Sequence, residues 1–274
     1  MKALTAREVQ LGEFEILKKF AQICSKKGFK YYLFYGTLIG AVRHQGFIPW
    51  DDDVDVMMPR ADYEKLLEYL LAHEEEIAPL KLMSYRNNKE YIYPISRLCD
   101  TRYYVDYQGA EEYGLGLFID IYPFDGCGNT KEELAALNRK QQRLIKMTFQ
   151  AGMKKFTKSQ TAWWRTPIKF AIWTYAKICG ANYFIEKLDK QASVLPYDKC
   201  KYVNCSVWEN LDNSLEREKL EEAMYLPFEG EMFCVPKLYD DILREEYGDY
   251  MKLPPEEERV GHHYYTAYLK DDEQ

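Results

Sequence analysis

The N-terminal half of the chain alternates between the hydrophobic periods that are typical of helices and of strands. Residues 5–27 place apolar side chains at helical spacing and Gly28 follows as a stop signal, which predicts a first helix. Residues 53–58 alternate polar and apolar side chains as a half-buried strand does, and Pro59 closes them. Further strands are predicted at 31–34, 80–84, 91–98, 102–107 and 115–122, a short helix between Gly36 and Gly46, and a longer helix over 62–78.

The C-terminal half has a more helical pattern. Residues 131–155 are rich in Lys, Arg and Gln and predict a helix. Residues 163–188 are apolar and aromatic but are interrupted by Arg165, Lys169 and Lys177. These interruptions argue against a membrane span. A packed helix pair is the favoured interpretation, and a helix lying in a membrane interface is the alternative. Residues 226–255 predict a short hairpin followed by a helix.

Together these elements predict an α/β (α+β) fold with two parts, 1–130 and 131–274. The chain has 274 residues, enough for a sizeable core, and its formal charge of −7 argues against a general nucleic-acid binder. The seven cysteines are scattered without zinc-site spacing, and the N-terminal pattern is not that of a signal peptide. A reduced, cytoplasmic protein is therefore expected.

The stretch 51–56, DDDVDV, carries the strongest chemical signal of the chain. Asp53 and Asp55 are two residues apart, so on a strand both point to one face, where they could share a hard cation such as Mg²⁺ or Mn²⁺. Asp120, within LFIDIYP, lies among similar strand-forming residues and is the expected third carboxylate. Such a set is typical of a two-metal site for phosphoryl transfer.

Other interpretations of the acidic stretch stay open at this point. A solvated acidic turn is disfavoured by the flanking Val, Met, Ile and Phe residues. A calcium loop starting at Asp51 would need Gly at its sixth position and Glu at its twelfth, where the chain has Val56 and Asp62. A glycosyltransferase DxD motif, which also holds a metal on a nucleotide diphosphate, is the serious alternative. Gly36 and Thr37, at a helix start, could provide N–H groups and a hydroxyl for a phosphate.

Three segments resemble the LicD family of phosphotransferases, which is related to the fukutin-type proteins. They are YGTLIGAVRHQGFIPWDDDVDVMMPR, GLFIDIYPFDG and LPFEGEMFCVPKLYDDILREEYGDYMKLPPEEERVGHH. The resemblance implies a nucleotidyltransferase fold, with a small mixed sheet flanked by helices and a largely helical C-terminal part. It also implies that Gly36 and Thr37 form a phosphate-side turn and that Asp53, Asp55 and Asp120 are both catalytic residues and metal ligands, with Asp120 as a hypothetical general base.

The reaction implied by the resemblance is the transfer of phosphocholine from CDP-choline to a hydroxyl group of a teichoic-acid or surface-glycan precursor, with release of CMP. Two Mg²⁺ ions are expected, with Mn²⁺ as the alternative. CDP-ribitol and CDP-glycerol are alternative donors, and a nucleotide-attaching enzyme or a non-catalytic binding protein are further alternatives. The expected partners are a CDP-activated donor and a glycan acceptor, which could be lipid-linked, with no nucleic acid. The expected location is the cytoplasm, with at most peripheral contact at the inner face of the membrane.

Several basic residues are candidates for contacts with the substrates. Arg43 and His44 follow the short helix, although Arg43 could instead form an exposed ion pair of little energetic value. Arg97 could project into the cleft expected at the acidic stretch, or it could form a salt bridge at the edge of the core. The resemblance brings the C-terminal segment back over the site, which adds the candidates Arg259, His262 and His263.

Overall fold

The computed structural model describes residues 2–107, 115–157, 163–261 and 265–270. In these ranges the chain forms a mixed α/β fold, as predicted. The described α-helices are α1 (Ala6–Lys27), α2 (Tyr35–Arg43), α3 (Arg60–Ala72), α4 (Glu74–Ile77), α5 (Lys131–Gly152), α6 (Thr166–Cys179), α7 (Ala181–Ala192) and α8 (Tyr239–Tyr247). The described strands are β1 (Tyr32–Leu33), β2 (Asp55–Pro59), β3 (Leu80–Met83), β4 (Ser96–Asp100), β5 (Tyr103–Tyr107), β6 (Leu117–Gly128), β7 (Tyr202–Asn204), β8 (Leu215–Glu216), β9 (Ala223–Phe228), β10 (Glu231–Pro236) and β11 (Tyr265–Leu269).

The described residues group into two compact units. The first lies within Met1–Met83, Ser96–Phe124 and Leu215–Gln274, and the second within Ser84–Ile95 and Asp125–Ser214. The predicted division of the chain into 1–130 and 131–274 stays a prediction. In the described part of the chain, no helix is both long and apolar enough to cross a membrane.

The first unit is built on a small mixed sheet with the strand order β1-β2-β6-β4-β3. β2 and β6 are parallel, whereas the other neighbours in this order are antiparallel. β6 is buried along its whole length, since LFIDIYPFDGCG has apolar side chains on both faces of the sheet. The predicted mixed sheet flanked by helices is therefore confirmed.

Helix α1 supplies a large part of the core of the first unit. Thr5 caps its N-terminus in a capping box with Glu8, and Gly28 ends it in a left-handed conformation. Its apolar stripe is fully buried at Leu17 and Phe20. The predicted boundaries of this helix are confirmed.

Several predicted element boundaries differ from the structure. The strand predicted at 91–98 begins only at Ser96, because residues 84–91 form consecutive turns in which Ser84 and Asn88 accept backbone hydrogen bonds. The helix predicted over 62–78 begins at Arg60 and is divided at His73.

The second unit contains helices α5, α6 and α7. The last two are the predicted pair within residues 163–188, and they are separated by Gly180, whose positive φ of 80° breaks the helix. In the first unit, the predicted hairpin is formed by β9 and β10, with Glu229 and Gly230 at positive φ in its tight turn, and α8 follows.

Candidate active site

Asp55 and Asp120 lie side by side on the two central parallel strands. They are partners in the register of β2 and β6, and both are buried. The backbone fixes this arrangement, since the N–H of Asp120 donates to the carbonyl of Val54 at 2.9 Å and the N–H of Phe34 donates to the carbonyl of Asp55 at 3.1 Å. Two of the three predicted carboxylates are therefore neighbours in space although 65 positions separate them in sequence.

Asp53, the third predicted carboxylate, lies just outside the strand. The prediction that the strand starts at residue 53 is two residues too early, because the ladder between β2 and β6 begins at Asp55. The Asp53 side chain is partly exposed, yet its charge acts on Asp55 and raises the pKa of that buried carboxyl group. The acidic stretch therefore gathers at the N-terminal end of β2.

The environment of Asp55 disfavours its ionised form. Burial raises its pKa well above the ordinary range, and the charges of Asp53, Asp120 and Asp51 raise it further, while a hydrogen bond from Tyr122 opposes them. Among the described residues, Oδ1 of Asp55 has no hydrogen-bond partner. A buried carboxylate oxygen without a donor is costly, which indicates a site that a cation would complete.

Glu13 is a further acid at this site that the sequence analysis missed. It is fully buried on α1, where the Tyr265 hydroxyl donates to Oε1 at 3.2 Å and Oε2 lacks a partner within the described structure. Burial is the main cause that raises its pKa, followed by the charge of Asp53, while the hydrogen bond from Tyr265 lowers it and Asp52 and Asp120 contribute smaller increases. The available sequence signal was an acidic residue on the core-facing side of an amphipathic helix.

Arg97 is paired with Asp120. The two residues are partners in the register of β4 and β6, with 2.6 Å between Arg97 Nε and Asp120 Oδ1 and 3.4 Å between its second guanidinium nitrogen and Oδ2. The guanidinium also lies 4.0 Å from the centre of the Phe118 ring. Of its two predicted environments, Arg97 has the buried salt bridge, and that bridge holds one of the site carboxylates. A contact between Arg97 and substrate stays a prediction.

The start of helix α2 is organised by the acidic stretch itself. The Thr37 hydroxyl accepts the N–H of Asp55 at 2.9 Å, so Thr37 positions the strand that carries this carboxylate. A side chain at Gly36 would come within 2.6 Å of Asp51 Oδ2, so glycine leaves room for that carboxylate at the positive end of the helix. The phosphate contacts of Gly36 and Thr37 stay a prediction.

A basic and aromatic cluster lies at the other end of α2. Arg43 donates to the carbonyl of Tyr250 at 2.5 Å, and the Arg259 guanidinium lies 5.5 Å from the Trp50 ring. The His44 ring is edge-on to Trp50, and burial together with the charge of Arg43 lowers the His44 pKa. The structure thus brings Arg43, His44 and Arg259 together. His262 and His263 lie outside the described residues.

This cluster borders an open cleft of about 650 Å³ within the first unit. Its walls combine cationic, acidic and aromatic side chains, a composition that suits a polar ligand carrying a phosphate or a flat ring. The lining residues are Ile39, Arg43, Trp50, Tyr247, Asp249, Tyr250, Lys252, Leu253, Pro254, Pro255 and Glu258.

The donor atoms of the acidic site fit a hard cation chemically. Carboxylate oxygens are the ligands that Mg²⁺ and Mn²⁺ prefer, and Asp55 provides one that is buried and lacks a hydrogen-bond donor. Across the described ranges, however, no three His, Cys, Asp or Glu side chains form a group that could hold a metal ion. Arg97 already occupies the carboxylate of Asp120.

The mixed sheet and its paired carboxylates belong to a domain of nucleotidyltransferase type. The family model described as "LicD/FKTN/FKRP, nucleotidyltransferase domain" matches residues 28–159, which include Asp53, Asp55 and Asp120. The chain is also 32% identical to the lipopolysaccharide cholinephosphotransferase LicD of Haemophilus influenzae, over 98% of this chain and 100% of the relative. The chain therefore belongs to the LicD family of phosphotransferases, as its motifs predict.

Two shorter matches cover parts of the chain. An uncharacterized protein of Rickettsia typhi is 31% identical over 42% of this chain and 35% of its own length. An uncharacterized protein of Rickettsia prowazekii is 38% identical over 24% of each chain. Their names give no activity, so the functional argument depends on the full-length relative and on the site.

Proposed function

We propose that this protein transfers phosphocholine from CDP-choline to a hydroxyl group of a surface-glycan precursor and releases CMP. The observation that carries the proposal is the pair Asp55 and Asp120 on adjacent central strands, in a chain whose full-length relative is named a cholinephosphotransferase. The motif residues that give the family resemblance are those that build this pair.

In the proposed reaction the acceptor hydroxyl oxygen forms a bond to the phosphorus of the phosphocholine group. The bond between that phosphorus and the oxygen bridging to CMP breaks, and CMP leaves with the bridging oxygen and its electron pair. The acceptor proton passes to Asp120, the residue proposed as general base. Arg97, through its ion pair with the same carboxylate, sets the direction in which Asp120 points.

Asp53, Asp55 and Asp120 are the residues proposed to hold Mg²⁺, with two ions in the complete site and Mn²⁺ as the alternative. Because no three acids of the described residues form such a group in this structure, these side chains are proposed to converge when the cation binds. Such ions, when bound, neutralise charge on a reacting phosphoryl group and on its leaving group. The buried, unpartnered Oδ1 of Asp55 supports this assignment. Glu13 is a further acid whose pKa is raised by burial and by the charges of Asp53 and Asp120, so a cation bound among these residues would favour its ionised form.

The cleft beside Trp50 is the proposed position of the donor. Arg43 and Arg259 offer positive charge and N–H donors for phosphates, and His44 offers a ring nitrogen for a hydrogen bond. Trp50 offers a ring face for the base or for a quaternary ammonium group. The sequence prediction extends this set to His262 and His263. Gly36 and Thr37 are proposed to act through the acidic stretch, which they position.

The acceptor is proposed to be a glycan hydroxyl, on a teichoic-acid or other surface-polysaccharide precursor. The full-length relative is named for lipopolysaccharide, so a surface glycan is the shared acceptor class. The reaction is proposed to take place in the cytoplasm. The free thiols at positions 24, 99, 127, 179, 200, 205 and 234 support a reducing compartment.

A donor panel tests the proposal. The protein is incubated with Mg²⁺, a surface-glycan extract and one donor at a time: CDP-choline, CDP-ribitol, CDP-glycerol or a UDP-sugar. We expect CMP release from CDP-choline above all others, and its loss on chelation. CMP release only from CDP-ribitol or CDP-glycerol would reassign the donor, and turnover of UDP-sugars alone would replace the phosphotransferase with a glycosyltransferase.

Asp106→Asn is the matched control for these assays. Asp106 is an exposed carboxylate on β5, in the same unit as the site, so the same change there removes one negative charge without touching β2 or β6. It should retain wild-type turnover with every donor.

A further inference from the structure

Helix α6 of the second unit is an apolar helix that the fold leaves largely uncovered. Of its 14 residues only Ala176 is buried. Apart from Phe170, the large, exposed apolar side chains of α6, together with Trp164 just before it, recur every three or four positions and therefore lie on one face, called here the apolar face. Their exposed fractions are 59% at Trp164, 61% at Ile168, 44% at Ile172, 53% at Tyr175 and 80% at Ile178. Phe170, which is 50% exposed, lies on a different side of the helix and contacts Phe156.

The remainder of α6 already has neighbours within its own unit. Ala176 packs with Ala151 of α5 and Phe184 of α7, and Trp173 contacts Phe156. One residue of the apolar face, Tyr175, also contacts Phe184, with 6.2 Å between the ring centres. The packing of Ala176 and Trp173 lies on other sides of the helix. Five large apolar side chains on one exposed face form a patch of the kind that marks an interaction surface.

The charge around this face is strongly one-sided. Residues 134–185 contain ten Lys and Arg residues and no Asp or Glu, in a chain whose formal charge is −7. Arg165 and Lys169 border the apolar face, and the Arg165 guanidinium lies 4.6 Å from the Trp164 ring. No carboxylate stands three or four positions away along the helix, so these charges are not neutralised locally.

We propose that α6 docks this protein on an anionic membrane by lying in its interface. The apolar face enters the boundary between head groups and acyl chains, while Arg165 and Lys169 bind lipid phosphates. The helix is about 21 Å long at 1.5 Å per residue, too short for a hydrocarbon core of about 30 Å. A second copy of the chain fits less well, because two such faces would bring like charges together.

Vesicle flotation tests this surface without any assay of activity. The full chain is mixed with vesicles of phosphatidylcholine alone or with added phosphatidylglycerol, at low and high salt. We expect flotation only with the anionic vesicles, weakened by salt. Ile168→Glu should reduce partitioning at least about tenfold, since it places a charge in the apolar face. Arg165→Gln combined with Lys169→Gln should remove the preference for anionic lipid.

Met232→Glu is the matched control, because Met232 is 58% exposed on β10 of the other unit. It should float like the wild type, and all variants should keep the wild-type melting temperature, since each changed residue is at least partly exposed. If the floating fraction contained the same amount of wild-type protein with anionic vesicles as with phosphatidylcholine vesicles or without vesicles, the proposal would be overturned. The proposal would also be overturned if the wild type were a dimer that does not bind vesicles and if Ile168→Glu dissociated that dimer. The apolar face would then be the contact with a second copy of the chain.

Discussion

The acidic site of the first unit and helix α6 of the second unit both present groups that favour a binding partner, but the two partners differ in chemistry. At the acidic site, Asp55 and Glu13 are buried with carboxylate oxygens that have no hydrogen-bond donor in the described structure. At α6, apolar side chains such as Ile178 are exposed, and the basic residues Arg165 and Lys169 have no acidic residue three or four positions away along the chain. The first region has several carboxyl groups around the ion pair of Arg97 and Asp120, and therefore attracts a cation. The second region would be covered by a surface that is both apolar and anionic.

This contrast separates two kinds of partner. A buried carboxylate is costly unless a cation or donor accompanies it, so the acidic site indicates a small, hard, positively charged ligand. Exposed basic side chains are well solvated, whereas the hydration of an exposed apolar face is unfavourable in free energy. Such a face therefore indicates a partner with an extended apolar surface. We expect the activity, the stability and the pH dependence of the protein all to depend on the buried charges of the acidic site.

The largest expected effect is on activity. Asp55→Asn and Asp120→Asn, made separately, should each lower the rate of phosphocholine transfer at least about 100-fold, because each removes a charge that the transition state needs while keeping the shape of the side chain. The measurement is CMP release under saturating donor. Wild-type turnover in either variant would remove that residue from the catalytic centre.

The next effect is on stability. Arg97→Met should lower the free energy of unfolding by about 3–5 kcal/mol, because it leaves the buried carboxylate of Asp120 without its partner. Urea denaturation measures the change. Arg244→Met, which breaks an exposed pair with Asp240, should leave the urea midpoint unchanged. If both variants behaved alike, the ion pair of Arg97 would not be a buried support of the site.

A smaller effect is expected at Thr37. Thr37→Val should cost about 1–3 kcal/mol, because the N–H of Asp55 loses its acceptor inside the protein. Thr37→Ser keeps the hydroxyl and should stay close to wild type in urea denaturation. A stable Thr37→Val variant would mean that the start of β2 is held by its strand neighbours alone.

The smallest effect is a pH dependence at Glu13. The pKa of Glu13 is raised in the folded state above its ordinary value of 4.5, by burial first and by Asp53, Asp52 and Asp120. The folded protein thus holds this proton more tightly than the unfolded chain, so stability falls as pH rises from 4.5 toward the folded-state pKa. Glu13→Gln, which can still accept from Tyr265, should remove this loss.

Melting temperatures in chelator at about pH 5 and about pH 8 measure this dependence. Wild type and Glu13→Gln should differ little at the lower pH, and the variant should be the more stable protein at the higher pH. A difference that stays constant with pH would show that Glu13 does not titrate across this range.

The strand-forming residues around each carboxylate were enough to predict the central pair. Asp55 and Asp120 each stand in a run of strand-forming residues, and parallel pairing of β2 with β6 then makes them neighbours. For Arg97 the sequence left two alternatives, a contact in the cleft or a salt bridge at the edge of the core, and the structure shows the salt bridge with Asp120. The start of the strand was placed too early, since alternation continues to Asp53 although the ladder does not.

The residues that sequence reasoning missed or left undecided depend on contacts between distant segments. Glu13 is on a helix whose polar and apolar pattern predicts a buried face but does not predict which residues of other segments that face contacts. The phosphate contact of Thr37 stays a prediction, and the sequence did not indicate that its hydroxyl accepts the N–H of Asp55. The contact between Arg259 and Trp50 spans 209 positions, and only the family resemblance indicated that the C-terminal segment returns to the motif.

Cation binding to the acidic site tests the central claim most directly. Mg²⁺ is titrated in the presence of CMP into wild type, Asp55→Asn and Asp106→Asn, with the melting temperature as readout. Binding to the folded state raises the melting temperature by mass action, so wild type and Asp106→Asn should rise together and Asp55→Asn should not respond. An equal rise in all three proteins, or none in wild type, would contradict a cation site built on Asp55.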